Sequence, residues 1–137
     1  MLRYQMNSSN KIAQGYLFLR YFNKIYLPTN IQNLIIRNFC EQKKFNLKLS
    51  INEHDIENCW MELFALIKKK DTNIIIMMSI YMLPNNKKDM SVFLKILEKN
   101  NKEFFFIFEN IHSKTTNELK RSIKKYNTFR KLNKFLK

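Results

Sequence analysis

His54 and Cys59 are the first pair to weigh, because an imidazole beside a thiol can draw off its proton and leave a thiolate nucleophile. The thiol falls on the apolar stripe of a predicted helix, however, where a small sulfur side chain fills space in a core. Adding His112 makes no metal site, since the three residues lack any recognised ligand spacing. Loops that cradle phosphates need glycines, which tolerate positive φ and close backbone approach, and the chain has one, Gly15. Neither dinucleotide nor nucleotide fingerprint can be built from it, so no metal and no cofactor is expected. What remains is a set of polar residues that gains meaning only from the elements that carry it: Arg20, Glu53, Tyr81 and Glu109, together with Gln32 and Arg37.

Gly15 to Phe22, an apolar run broken by Arg20, predicts a first strand. Thr29 or Asn30 then caps a helix whose apolar positions Ile31, Leu34, Ile35 and Phe39 recur at three- and four-residue spacings, running to about Lys44. From Phe45 to Ile51 apolar and polar residues alternate, the period of an edge strand with one wet face. Asp55 is the predicted cap of a second helix with an inner stripe of Cys59, Trp60, Leu63, Phe64 and Ile67, and Lys68, Lys69 and Lys70 complement the dipole of its last turn. Asn73 to Leu83 lacks alternation, so both its faces must be covered and the strand must be central. A loop at Pro84 to Lys88 leads to a third helix capped by Asp89 and bearing Val92, Phe93, Ile96 and Leu97, and Glu103 to Glu109 supplies a fourth strand. From Thr115 onward Leu119, Ile123, Tyr126, Leu132 and Leu136 recur at helical spacing among lysines and arginines.

Strands joined by right-handed helical crossovers lie parallel, which gives the order 2-1-3-4. The expectation is one three-layer α/β domain: a mostly parallel four-stranded sheet flanked by helices, then a basic amphipathic C-terminal helix. Residues 1–12 are expected to be a flexible segment, 13–113 the α/β domain and 114–137 the basic helix. A chain of 137 residues with 45% apolar content is enough for one core.

A net charge of +14 normally suggests nucleic acid or an anionic membrane surface. A competing explanation is compositional: Lys, Asn, Ile and Phe make up nearly half the chain and alanine appears only at Ala13 and Ala65, a bias typical of an AT-rich genome. The charge is also uneven, with nine Lys/Arg against Glu118 alone from Lys114 to Lys137. This tail reads first as a packed helix with a solvated basic face, because its apolar stripe needs burial. It reads second as a nucleic-acid arm, on which Tyr126 and Phe129 would stack on bases. Met1 to Lys11 lacks the apolar core of a signal peptide, and the longest apolar run, Ile74 to Leu83, is about half the roughly 20 residues a bilayer requires. With Cys40 and Cys59 far apart on predicted helices, a reduced cytoplasmic protein without membrane insertion is expected.

In open parallel sheets ligands collect beyond the carboxyl ends of the strands, where the strand order reverses, here between the first and third strands. Arg20, Asn23 and Lys24 follow the first strand, Glu53 and His54 the second, Ser79 and Tyr81 lie late in the third, and Glu109 ends the fourth. Arg20 is placed to grip an anion, with Gln32 and Arg37 as further ligand contacts, while Glu53 or Glu109 handles protons and Tyr81 completes the candidates. The competing reading is that Arg20 and a carboxylate merely neutralise one another at a sheet edge.

The layout resembles the catalytic domain of serine recombinases in its Gly-Tyr strand (Gly15, Tyr16), a Gln opening the first helix (Gln32) and a third strand ending near a loop. Laying that family's Gly-Tyr-x-Arg-x-Ser pattern on Gly15 to Arg20 puts Phe18 where the arginine belongs and Arg20 where the nucleophilic serine belongs. Its Leu-Asp-Arg-Leu motif falls on Ile80, Tyr81, Met82 and Leu83, so the resemblance implies a shared fold without the cleavage chemistry. Gly15 to Ile111 also resembles the sporadic carbohydrate cluster proteins, through GYLFLRYF, LPTNIQNLIIRNFC, Glu53, SIYMLP and FEN. Leu19 and Tyr21 depart from that pattern, and the basic tail lies outside it. That resemblance implies a place in surface-polysaccharide or nucleotide-sugar metabolism, as a small enzyme or an accessory module binding an anionic sugar. The alternative is a recombinase-derived, non-cleaving DNA-binding or homo-oligomeric assembly protein.

Overall fold

Four apolar residues in a row, Ile74 to Met77, have no solvent-exposed surface, and at about 1.5–3 kcal/mol for each fully buried aliphatic side chain such a ribbon is a strong anchor for layers on both sides of it. The computed structural model describes residues 11–136, with side chains through residue 132. In chain order the elements are β1 (Ile12–Leu17), α1 (Thr29–Lys43), β2 (Asn46–Asn52), α2 (Met61–Lys68), β3 (Ile74–Met77), a short 3-10 turn (Ile80–Met82), α3 (Lys87–Lys99), β4 (Glu103–Phe106), β5 (Ile111–Ser113) and α4 (Thr116–Leu136). The sheet order is β2-β1-β3-β4-β5. The first four strands are parallel and β5 runs antiparallel to β4. The expected order 2-1-3-4 therefore stands, with a fifth strand added.

Right-handed crossovers put α1 on one face of the sheet and α2 and α3 on the other. The β4 rings divide accordingly: Phe105 meets Phe39 of α1 at 5.1 Å, while Phe104 meets Phe93 of α3 at 6.1 Å. α4 is not a detached tail, because Leu119 is fully buried and Ile123 nearly so, both within the common core.

Several boundaries differ from the periodicity, each for a local polar reason. β1 begins at Ile12, inside the stretch expected to be a flexible leader; residues 1–10 of that leader lie outside the described residues. β1 also stops at Leu17 instead of Phe22, because the Gln32 side chain takes both the N–H and the C=O of Phe18 and ends the ladder there. β3 stops at Met77 instead of Leu83, because Ser79 caps a 3-10 turn and Glu109 accepts the Ile80 N–H. β4 stops at Phe106, and a turn with Asn110 at φ 55° reverses the chain into β5.

The caps differ too. α1 starts after Pro28 with no side-chain cap, in place of Thr29 or Asn30, and α2 starts at Met61, well beyond Asp55. α3 is capped by Asn86, whose side chain accepts the Asp89 N–H while Asp89 accepts from Asn86 Nδ2, a reciprocal pair in which Asp89 is the second member. On α1 the buried residues are Gln32, Ile36 and Cys40, whereas Ile31 and Leu34 are 39% and 58% exposed. On β2 the alternation fails at Leu49, which is 87% exposed, next to a register shift opposite Gln14 and Tyr16.

Candidate functional site

A cleft of about 300 Å³ opens beyond the carboxyl ends of β1 and β3, where the strand order reverses. Arg20, Tyr21, Trp60, Tyr81, Asn85 and Arg130 are among its lining residues. Its floor and one lip come from the loop between β1 and α1. Gln32, fully buried, staples that loop by donating to the carbonyls of Phe18 and Leu27, each at 2.7 Å. Phe22 and Ile25 then exchange backbone hydrogen bonds at 2.8 and 2.9 Å around Asn23 and Lys24, which both adopt left-handed φ, 51° and 66°. This two-residue turn has the backbone of a tight hairpin, which asparagine tolerates and lysine does not favour. Tyr21 and Tyr26 flank it, with ring centroids 5.5 Å apart.

Arg20 stands at the expected rim, half-buried, over the faces of Phe18 (4.3 Å) and Trp60 (5.5 Å). Its guanidinium donates to the carbonyls of Ile56 and Cys59, so it fastens the loop between β2 and α2 while presenting an edge to the cleft. Beneath that loop Glu53 is 1% exposed. Five donors reach its two oxygens: the Tyr16 hydroxyl at 2.8 Å, the N–H groups of His54, Glu62 and Leu63 each at 3.1 Å, and the Cys59 thiol at 3.6 Å. Two of those N–H groups belong to the first turn of α2, so Glu53 caps from a distance a helix that has no cap of its own. Burial, reinforced by the adjacent Glu53 carboxylate, pushes the Tyr16 phenol far above its ordinary 10.0.

The remaining expected residues separate into those that line the cleft and those that brace it. Tyr81 lines it, with Arg130 stacked over its ring at 4.8 Å and Tyr126 edge-on at 5.9 Å. Burial raises the Tyr81 phenol against the opposing charge of Arg130, and burial also lowers Arg130 from its ordinary value. Glu109 accepts the Ser79 hydroxyl at 2.6 Å and the Ile80 N–H at 2.9 Å, which fixes the turn carrying Tyr81. Arg37 is exposed on α1 and does not line the cleft. The structure thus brings Arg20 and Tyr81 together, sets Gln32, Glu53 and Glu109 in the supporting frame, and leaves Arg37 apart.

His54 is paired with Glu62 at 3.0 Å while the Cys59 thiol points to Glu53, so the imidazole does not serve that thiol. Cys59 also lies ahead of α2 rather than on its inner face. His112 pairs with Glu103 at 3.0 Å on the far strand pair. Both cysteines are free, and burial pushes the Cys40 thiol up to about 11. Among the described residues no helix is long and apolar enough to cross a membrane.

Arg130 and Tyr21 are cleft residues that periodicity does not single out, while Trp60, expected on the inner stripe of α2, stands just ahead of that helix and lines the cleft. Arg130 carries a signal, since it continues the inner stripe Leu119, Ile123, Tyr126 by one more step of four. An arginine where an apolar residue is due marks a polar feature at that level of the core.

No protein-family model matches the chain. No curated protein matches it either, and the carbohydrate-cluster resemblance finds no support. Solved structures do match. The N-terminal catalytic domain of TP901-1 integrase superposes with a TM-score of 0.63 at 11% identity, covering 93% of this chain and 99% of that one. A resolvase-family site-specific recombinase from Streptococcus pneumoniae superposes with a TM-score of 0.58 at 10% identity, covering 92% and 91%. The fold is accordingly resolvase-like, a single α/β domain that shares its architecture with these recombinase domains over more than nine-tenths of the chain.

Proposed function

We propose that this chain is a recombinase-derived domain that associates with duplex DNA through the basic face of α4 and does not cut it. The observation that carries the reading is the likeness to recombinase domains over more than nine-tenths of the chain, combined with a helix whose exposed side is lysine-rich. Lys120, Lys124 and Lys131 are exposed along one groove beside Leu94 of α3. Lysines so arranged neutralise phosphates and release counterions. For the absence of cleavage, the support is the cleft lining, which among the described residues contains no serine, threonine or cysteine. Ser79, at the end of β3, is 2% exposed and donates its hydroxyl to Glu109. Arg20 stands where the recombinase pattern has its serine. Cleavage of the serine-recombinase type needs a nucleophile at that position, and the two tyrosines of the lining, Tyr21 and Tyr81, stand elsewhere.

Deleting the helix would strip Leu119 and Ile123 from the core, so the test uses surface substitutions. Duplex affinity of the wild type should fall steeply with salt. Lys120→Glu, Lys124→Glu and Lys131→Glu together should lower the magnitude of the log–log salt slope by about 3, near 0.9 for each phosphate no longer neutralised. Supercoiled plasmid should stay intact throughout. Salt-independent binding, or nicking, would overturn the reading. A second reading, self-association, is favoured by Phe129 and Leu132, which are 42% and 52% exposed on the distal half of α4.

A further inference from the structure

Two features of the cleft are unexplained by a basic helix that grips duplex. The first is Arg130. Its guanidinium is half-buried at the cleft wall, and among the described residues its one partner is the face of Tyr81, with no hydrogen bond or ion pair. A desolvated cation with five donors and only a ring beneath it is a site for an anion. The second is the tyrosine lip. Tyr21 is 70% exposed and lines the cleft, and Tyr26, 50% exposed, backs it at 5.5 Å. The pair rides on the Phe22–Ile25 turn, closed by two backbone hydrogen bonds, so the rings are presented by a fixed lip. Large exposed aromatics on a rigid turn beside an unpaired cation match a ligand with both a flat ring and a negative charge.

We propose that the cleft holds an unpaired nucleotide of a single-stranded nucleic acid, its base stacked on Tyr21 and its phosphate on Arg130. The volume, about 300 Å³, suits one nucleotide rather than a duplex. Asn23, Asn58 and Asn85 also line the space and offer amides to base edges. The surrounding charge favours a polyanion: Arg20 and Arg130 outnumber the one lining acid, Glu57, Lys24 sits on the adjacent turn, and the whole chain carries +14, which opposes a second copy as the occupant. Stacking on a tyrosine face is tolerant of sequence, so the preference is for unpaired over paired strands more than for particular bases.

The one tryptophan of the chain, Trp60, lines the same cleft and supplies the readout. Trp60 fluorescence would be titrated with a short oligothymidylate, with the matching duplex and with free thymidine monophosphate. The oligothymidylate should change the emission. Tyr21→Ala should weaken its binding at least fivefold, Tyr21→Phe should hold it within twofold, and Arg130→Ala should weaken it at least as much as Tyr21→Ala. Tyr26→Ala provides an independent check, since both tyrosines are exposed enough for the variants to keep wild-type melting curves. The triple lysine variant on α4 should lose duplex affinity while the Tyr21 effect persists, which separates this site from the helix. Oligothymidylate affinity unchanged by both Tyr21→Ala and Arg130→Ala overturns the proposal. So does free thymidine monophosphate binding as tightly as the strand, which would assign the cleft to a small nucleotide.

Discussion

At Glu53 the two carboxylate oxygens meet more donors than a proton-transfer group can have and still reach a substrate. Glu53→Ala would leave the Tyr16 hydroxyl and the first turn of α2 with unpaired buried donors. At about 1–3 kcal/mol for each such group, the loss should be about 3 kcal/mol or more, read as a lower urea midpoint. Glu53→Gln keeps one acceptor oxygen and should cost less. Tyr16 gives a pH signature. Its folded-state phenol is raised well above the ordinary 10.0, so above that pH the unfolded chain releases a proton that the folded chain retains. Stability contributed by this group is complete below 10.0 and declines as pH rises, by about 1.4 kcal/mol per pH unit. Urea unfolding at several alkaline pH values should show wild type losing stability more steeply than Tyr16→Phe, by about that slope; parallel curves would refute the assignment. The polar residues that matter here are legible in the sequence, but their use is not. Glu53 is recognisable as a carboxylate after an edge strand, yet only the path of residues 54–60 brings α2 over it, and that path is set by Arg20 from a different part of the chain.

Elements show the same division between what pattern reveals and what contacts decide. The unbroken apolar run of β3 announces a central strand, and the stripe of α4 announces a packed helix, because burial of a continuous face leaves its period in the sequence. Periodicity misplaces the strand ends, because they are set by single side chains such as Gln32 and Glu109 reaching the backbone from elsewhere. β5 has three residues, too few to show a period. Gly15 combines both kinds of information. Its rarity is visible, but the reason is the approach of β2 and α1: a Cβ there would lie 2.5 Å from Ser50 Oγ and 3.2 Å from Ile36 Cδ1. Ser50 is held in place by a hydrogen bond to Asn33 of α1 at 2.9 Å, so it cannot swing away freely. Gly15→Ala should therefore cost about 1–3 kcal/mol by overpacking. Combining it with Ser50→Ala removes the closest atom and should recover part of that loss, a positive coupling in a double-mutant cycle measured by thermal unfolding. Strict additivity would mean that the contact is not what excludes a side chain at this position.

For the whole molecule the governing quantity is charge, +14 over 137 residues, concentrated on the helix that ends the chain. The two things α4 is proposed to do respond to salt in opposite directions. Binding to DNA releases counterions and weakens as salt rises. Self-association through Phe129 and Leu132 must bring two strongly positive molecules together, a repulsion that salt screens once the Debye length falls to about 10 Å or less near 0.1 M. Raising salt from about 50 mM to about 500 mM should then lower duplex affinity by orders of magnitude while increasing the average mass seen by sedimentation. Leu132→Asp should abolish the mass increase and leave the salt slope of DNA binding nearly unchanged, because it alters the apolar edge and not the lysines. If both activities instead weaken together with salt, the apolar edge contributes nothing and assembly depends on DNA acting as the bridge between basic helices.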